Sequence, residues 1–280
     1  MSTTAAPQPW SPPRSASTGR SWSPVALGAA WGQLVALGVL YVVCVRTAPG
    51  QREENRLHSL ALENRGSETG WLRTAFDLVD RLQPQHLVLG VAVVGLVGLV
   101  RGRFGAAVRG VVVAAGTLGL TELLKLVLLE RPNLLEHGSA ANSLPSGHTS
   151  AVLGLALGLL VAGPRWLRLP LALAGAVAAG AMGAFVIADG WHRVSDVLAS
   201  ALVGSIVLCL VQVVPHRGER RRAALVRLAL VVPGAAAAAL VVVYAGGAPL
   251  TTSYLVAGAV VALTVLTAAQ ALPREVRGRA

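Results

Sequence analysis

A chain of 280 residues that is 54% hydrophobic and only 13% charged is too apolar for an ordinary soluble domain. Its formal net charge of +11 would suit a nucleic-acid binder, yet no basic domain stands apart from the apolar segments, so no nucleic-acid partner is expected. The composition instead predicts an all-α, polytopic transmembrane helical bundle whose partner is the lipid bilayer.

Residues 1–24 are rich in Ser, Pro and Thr and read as a disordered tail. The first apolar run, 25–45, is longer than the ~7–15 residues of a signal h-region, and no small-x-small cleavage pattern follows it. It reads as a membrane span. A long loop of mixed charge follows at 46–83. Within it Trp71, Leu72, Ala75, Phe76, Leu78, Val79 and Leu82 recur at helical spacing, with Arg73, Asp77, Asp80 and Arg81 between them. That pattern suits an amphipathic helix on the membrane surface or a packed cap over the bundle.

Further spans are expected at 84–100, 106–129, 148–162, 170–188 and 194–214, completing a six-span core over 25–214. The stretches 84–100 and 148–162 are short against the ~17–25 residues usual for a span. A basic loop at 215–223 leads into two additional spans within 224–270, placed at 224–245 and 250–269, and the chain closes with a tail at 271–280. Gly28-x3-Gly32 and Gly154-x3-Gly158 have the spacing that lets helices approach closely in lipid. Cys44 and Cys209 fall at different depths, so no disulfide is expected and both read as small buried apolar residues.

Charge gives the orientation. With both termini cytoplasmic, 15 of the 24 Lys and Arg residues lie on the inner side, and 11 of the 13 Asp and Glu residues lie on the outer side. Every short inner loop is then basic, as the positive-inside rule requires. The chain is thus expected to be a multi-pass cell-membrane protein whose 46–83, 131–147 and 189–193 loops share the extracytoplasmic face.

Three polar islands lie at that face: Lys125 to Arg131-Pro132, Pro145-Ser146-Gly147-His148, and His192 to Asp196. Ionisable groups at membrane depth are expensive and mark functional sites. Pro145-Ser146-Gly147-His148 opens an apolar helix, whose free N–H groups attract anions; Ser146 as a plain helix cap is the alternative. His192 and Asp196 stand at i and i+4 on one helix face, so the carboxylate can fix the imidazole tautomer and leave the other nitrogen to attack an electrophile. A satisfied histidine–aspartate pair is the alternative there. Lys125, the one lysine of the chain, and Arg131 could neutralise a phosphate from one rim, or could be a snorkelling lysine and a helix-ending Arg-Pro. No cysteine or third ligand suggests a metal site, so no metal and no cofactor is expected.

In this order the islands resemble the signature of the type-2 phosphatidic acid phosphatase family, membrane relatives of the vanadium haloperoxidases. The resemblance covers the six spans and leaves the last two as an addition. It implies that His192 is the nucleophile forming a phospho-histidine, that Asp196 orients it, and that His148 protonates the leaving group. It also implies that Lys125, Arg131, Ser146 and Gly147 hold the phosphoryl oxygens.

The sequence departs from the family pattern twice. Five residues rather than six separate Lys125 from Arg131, and Phe185 and Val186 stand where the family carries Ser-Arg. Arg193, beside the nucleophile, is the candidate to supply the missing guanidinium, with Arg73 a weaker one. The expected function is hydrolysis of a lipid phosphate or diphosphate, such as phosphatidic acid, phosphatidylglycerol phosphate or a polyprenyl diphosphate. A lipid phosphotransferase using the same intermediate, or a family member weakened or inactivated by the lost arginine, are the alternatives.

Overall fold

The computed structural model describes residues 22–66, 84–135, 142–213, 219–245 and 247–272, together with Thr74, Asp77 and Val79. Among these residues there are nine α-helices and no strand: α1 (Pro24–Val45), α2 (Ala48–Asn64), α3 (Pro84–Val100), α4 (Phe104–Leu123), α5 (Gly147–Ala162), α6 (Arg168–Ala188), α7 (Val194–Val211), α8 (Glu219–Ala245) and α9 (Leu250–Ala271). Six helical segments are long and apolar enough to cross a membrane, and the remaining apolar helices, α3 and α5, are shorter. In lipid every backbone polar group must be satisfied within the segment, which is why apolar runs of this length fold as helices. The protein is therefore an all-α, multi-pass membrane bundle, and its eight apolar helices fall on the eight expected spans.

The centre of the bundle is α7, whose span window is 89% buried. Valine, leucine and alanine on all its faces pack against α1, α4, α5, α6, α8 and α9. Close crossings depend on glycine. A Cβ at Gly154 would stand 2.8 Å from the Ala114 carbonyl oxygen, and one at Gly158 would stand 2.7 Å from that of Gly110, so α4 and α5 meet backbone to backbone. Gly180 and Gly258 bring α6 and α9 together in the same way. The Gly28–Gly32 pair differs from expectation. A Cβ at either position meets nothing within 4 Å, so these two glycines face away from every described helix.

The added helices are integral to the bundle. Helix α9 packs along α6, α8 packs beside α1, and Gln33 of α1 donates to the Leu228 carbonyl of α8 at 3.0 Å. Both cysteines are free and buried.

The larger difference is α2. Part of the stretch read as a loop, 46–83, is a helix of 17 residues. Thr47 caps it by accepting from the Gly50 N–H at 3.1 Å, and Pro49 sits in its first turn. Of the amphipathic stretch 71–82, only Thr74, Asp77 and Val79 are described, and they are helical. The N-terminal tail, the start of the basic loop and the C-terminal tail lie outside the described residues apart from their last or first positions.

Candidate active site

The three polar islands meet at one end of the bundle. The Val186 carbonyl accepts from the backbone N–H groups of Trp191 and His192, both at 2.9 Å, and so closes the turn that delivers His192 to the start of α7. Gly190 in that turn has φ +69, a conformation that L side chains avoid. His192 Nδ1 lies 3.1 Å from Asp196 Oδ2, and the same carboxylate oxygen accepts from the Arg193 N–H at 2.9 Å. Asp196 is fully buried. Its hold on Nδ1 leaves Nε2 of His192 as the nitrogen that can react.

The second histidine stands beside the first. The His148 and His192 rings are 6.4 Å apart, and the Trp191 indole lies 5.1 Å from His148. His148 is placed by the N-terminus of α5, which is tied to α7 through the backbone: the Ser146 N–H donates to the Asp196 carbonyl at 3.0 Å. The Ser200 hydroxyl lies 3.0 Å from the Ser146 carbonyl and 2.9 Å from that of Asp196. Ser146 itself is fully buried, and its hydroxyl oxygen accepts from the Thr149 N–H at 3.3 Å. It is a helix cap here, with its own O–H left to donate.

Lys125 sits in a π-helical turn, Leu124–Leu128, that ends the span begun by α4. Such turns widen the helix and recur at functional sites. The chain then leaves the helix, so the second half of the Lys125–Arg131 spacing is non-helical and need not keep a helical register. Lys125 Nζ donates to Glu122 Oε1 at 2.7 Å. A Cβ at Gly147 would lie 2.9 Å from that oxygen and 3.5 Å from Nζ, so the glycine is what lets this ion pair reach the α5 N-terminus. Asn142 joins the two motif loops by donating to the carbonyls of Lys125 and Leu129.

Arg131 is 5% exposed, and all three of its guanidinium nitrogens are buried without a hydrogen-bond partner among the described residues. Arg193 is equally buried and donates to Ser143 Oγ at 3.0 Å and to Asn55 Oδ1 at 3.4 Å, while its Nε has no such partner. Burial, and then the charge of Arg193, pull Arg131 below the usual arginine range. Two buried guanidiniums that feel each other are unfavourable unless an anion stands between them. Val186, by contrast, is fully buried in the apolar core.

Helix α2, within the stretch expected to be a loop, lies across this site. Gln51 donates to the Pro132 carbonyl at 2.6 Å, and so holds the Arg131-Pro132 loop. Glu54, 1% exposed, accepts from the Ser195 hydroxyl at 2.7 Å and from the Tyr244 hydroxyl of α8. Asn55 meets Arg193, Leu62 packs on Gly190, and Arg65 pairs with Asp189 at 3.0 Å. Burial, and next the charge of Asp196, push the Glu54 carboxyl above the usual carboxylate range. The available signals were the Thr47 cap, Pro49 in the first turn, and polar residues spaced three and four apart.

Among the described residues no group of three or more His, Cys, Asp or Glu side chains is arranged to hold a metal ion. His148, His192, Asp196, Ser146 and Gly147 therefore share one end of the bundle with Lys125, Arg131 and Arg193. Arg73 lies outside the described residues. No curated protein and no solved structure matches the chain. A family model described as the PAP2 superfamily matches residues 106–220, the segment that carries all three polar islands.

Proposed function

We propose that the chain is an integral-membrane phosphatase that hydrolyses a lipid phosphate or diphosphate through a phospho-histidine, at the extracytoplasmic face. The observation that carries this reading is the His192–Asp196 bond with His148 alongside and the Arg131 and Arg193 guanidiniums buried at the same end. The similarity of residues 106–220 to the PAP2 superfamily supports phosphatase chemistry in general. The distribution of Lys and Arg supports the outward orientation.

In the first step Nε2 of His192 attacks phosphorus while Asp196 keeps the Nδ1 proton in place. The bond to the leaving oxygen breaks, and His148 gives that oxygen a proton. In the second step His148 takes a proton from water, whose oxygen attacks the phosphoryl group. The P–N bond breaks, and inorganic phosphate leaves. Lys125, Arg131, Ser146 and the Gly147 N–H balance the charge on the phosphoryl oxygens. Arg193 supplies the guanidinium absent from position 186, reaching the site from the residue after the nucleophile. Side chains provide the positive charge, and the mechanism assigns no step to a metal or cofactor.

A lipid substrate is supported by a groove of about 490 Å³ between α3, α4 and α5. Leu87, Val88, Val91, Leu118 and Leu155 line it, and Glu122, the partner of Lys125, stands at its polar end. A chain lying in this groove would leave its phosphate beside Lys125 and Gly147. Phosphatidic acid, phosphatidylglycerol phosphate and polyprenyl diphosphates all meet that description.

The test is release of inorganic phosphate from a panel of these lipids by the purified chain, wild type beside His192→Ala. Turnover by the wild type and none by the variant is the expected result. Phosphate passed to a sugar or lipid acceptor, with none released, would replace hydrolysis by transfer. No turnover of any kind would overturn the reading. Because the two histidines act in opposite protonation states, the rate is also expected to pass through a maximum with pH rather than stay flat.

A further inference from the structure

Gln51, Glu54, Asn55 and His58 stand at i, i+3, i+4 and i+7 of α2 and so share one face of that helix. Three of the four have evident partners: Gln51 holds Pro132, Glu54 holds Ser195, and Asn55 accepts from Arg193. The fourth does not. His58 Nδ1 is shielded from solvent and has no hydrogen-bond partner among the described residues. Buried polar atoms are nearly always paired, so an orphan on a face that otherwise grips the site calls for an explanation.

The surroundings supply one. The charges that bear on His58 belong to Arg193, Asp196, Arg131 and His192. Two of these are the buried guanidiniums that have unpaired nitrogens of their own. A tetrahedral phosphate between them has oxygens in several directions, and those turned toward α2 need a donor there.

Resting on the phosphate-site reading above, we infer that His58 is a further phosphate-contacting residue, donating from Nδ1–H to a non-bridging oxygen of the group held by Arg131 and Arg193. Burial first, then Arg193, draws His58 below the usual histidine range against the opposing pull of Asp196. The imidazole is accordingly neutral near pH 7 and donates a hydrogen bond without adding a third positive charge to the pair of arginines. The role is distinct from those of His148 and His192: His58 neither forms a bond to phosphorus nor passes on a proton. It recognises the phosphate from the helix that crosses the site.

The experiment measures equilibrium binding of inorganic phosphate to the full chain in detergent micelles by calorimetry. Wild type, His58→Phe and His58→Asn are compared. Phe keeps a flat ring but has no nitrogen, and Asn places an amide donor near the position of Nδ1. The expected result is a phosphate Kd raised about tenfold in His58→Phe and within about threefold of wild type in His58→Asn, the size of one hydrogen bond to a charged group.

Equal binding by wild type and His58→Phe overturns the inference, as does an equal loss in both variants or no phosphate binding by the wild type. A His58→Phe protein whose kcat/KM for a lipid phosphate stays within twofold of wild type overturns it as well. If His58→Phe shows no cooperative unfolding transition, the wild type decides, through the ring-nitrogen NMR shift of ¹⁵N-labelled His58. A Nδ1 resonance that moves on adding phosphate supports the contact, and one that stays put overturns it. Binding is read without turnover, so a chain that binds phosphate through His58 yet releases none from any lipid sinks the proposed activity alone.

Discussion

Glu54 and Ser195 are joined twice: the Glu54 carboxylate accepts from the Ser195 N–H at 3.3 Å and from its hydroxyl at 2.7 Å. Ser195 lies between His192 and Asp196 in the chain, so this contact fixes the first turn of α7. Tyr244 of α8 donates to the same carboxylate. One buried group thus ties α2, α7 and the added helix α8 together. Replacing Glu54 with Ala would leave the Ser195 and Tyr244 donors buried and unpaired, at a cost of about 2–4 kcal/mol. Thermal unfolding in detergent is expected to show that loss, and a Tm unchanged within a degree would contradict it.

The same carboxyl makes stability depend on pH. Burial, then Asp196, hold Glu54 above its ordinary value of 4.5, so the folded chain keeps a proton that the unfolded chain has already released. Where the native state binds more protons, stability falls as pH rises. The stability of wild type relative to Glu54→Gln is therefore expected to be greatest in acid. It should decline as pH rises from about 4.5 toward the raised Glu54 value. Parallel Tm-versus-pH curves for the two proteins would contradict the assignment.

Arg193 tests whether the guanidinium absent from position 186 has been relocated. Arg193→Ala is expected to lower kcat/KM for a lipid phosphate by about 10²–10³, the usual cost of one lost oxyanion-type donor. Arg193→Lys should recover only part of it, because a lysine cannot reproduce the two-pronged contact with Ser143 and Asn55. Full activity in Arg193→Ala would remove Arg193 from the phosphate site.

Gly147→Ala separates activity from folding. The new Cβ would stand 2.9 Å from Glu122 Oε1, the end of a flexible side chain, so stability should change by less than about 1 kcal/mol. The displaced Glu122 would carry Lys125 with it. A fall in kcat/KM of about tenfold, with Tm nearly constant, is expected from steady-state kinetics beside a thermal melt.

Gly119 lines the α3–α4–α5 groove, and a Cβ there meets nothing within 4 Å. Gly119→Phe should fill the groove while improving helix propensity by roughly 0.3–0.5 kcal/mol. KM should rise several-fold for a long-chain lipid phosphate and stay within twofold for a short-chain analogue. Equal effects on both substrates would place the chain elsewhere.

The spans were legible because hydrocarbon imposes one rule on every residue in them, and runs such as 194–214 satisfy it without reference to any partner. His192 and Asp196 were legible because their spacing already places them on one helix face. Helix α2 was not. Its sequence is polar, and Gln51, Glu54, Asn55 and His58 acquire meaning only against Pro132, Ser195 and Arg193, which are some eighty to one hundred and forty residues away in the chain. Val186 was read as the place of a lost arginine. Its buried side chain and its carbonyl, which closes the His192 turn, give the position a structural part that the sequence pattern left out.

The fastening of α2 at Pro132, Ser195, Gly190 and Asp189 also bears on traffic through the site. A crosspiece anchored at that many points does not swing aside for a bulky solute arriving from water. Long-chain molecules would come and go sideways, along the apolar groove, while water and inorganic phosphate slip past the crosspiece. Under the proposed activity, the bilayer would serve as the protein's substrate store and the aqueous phase as its drain.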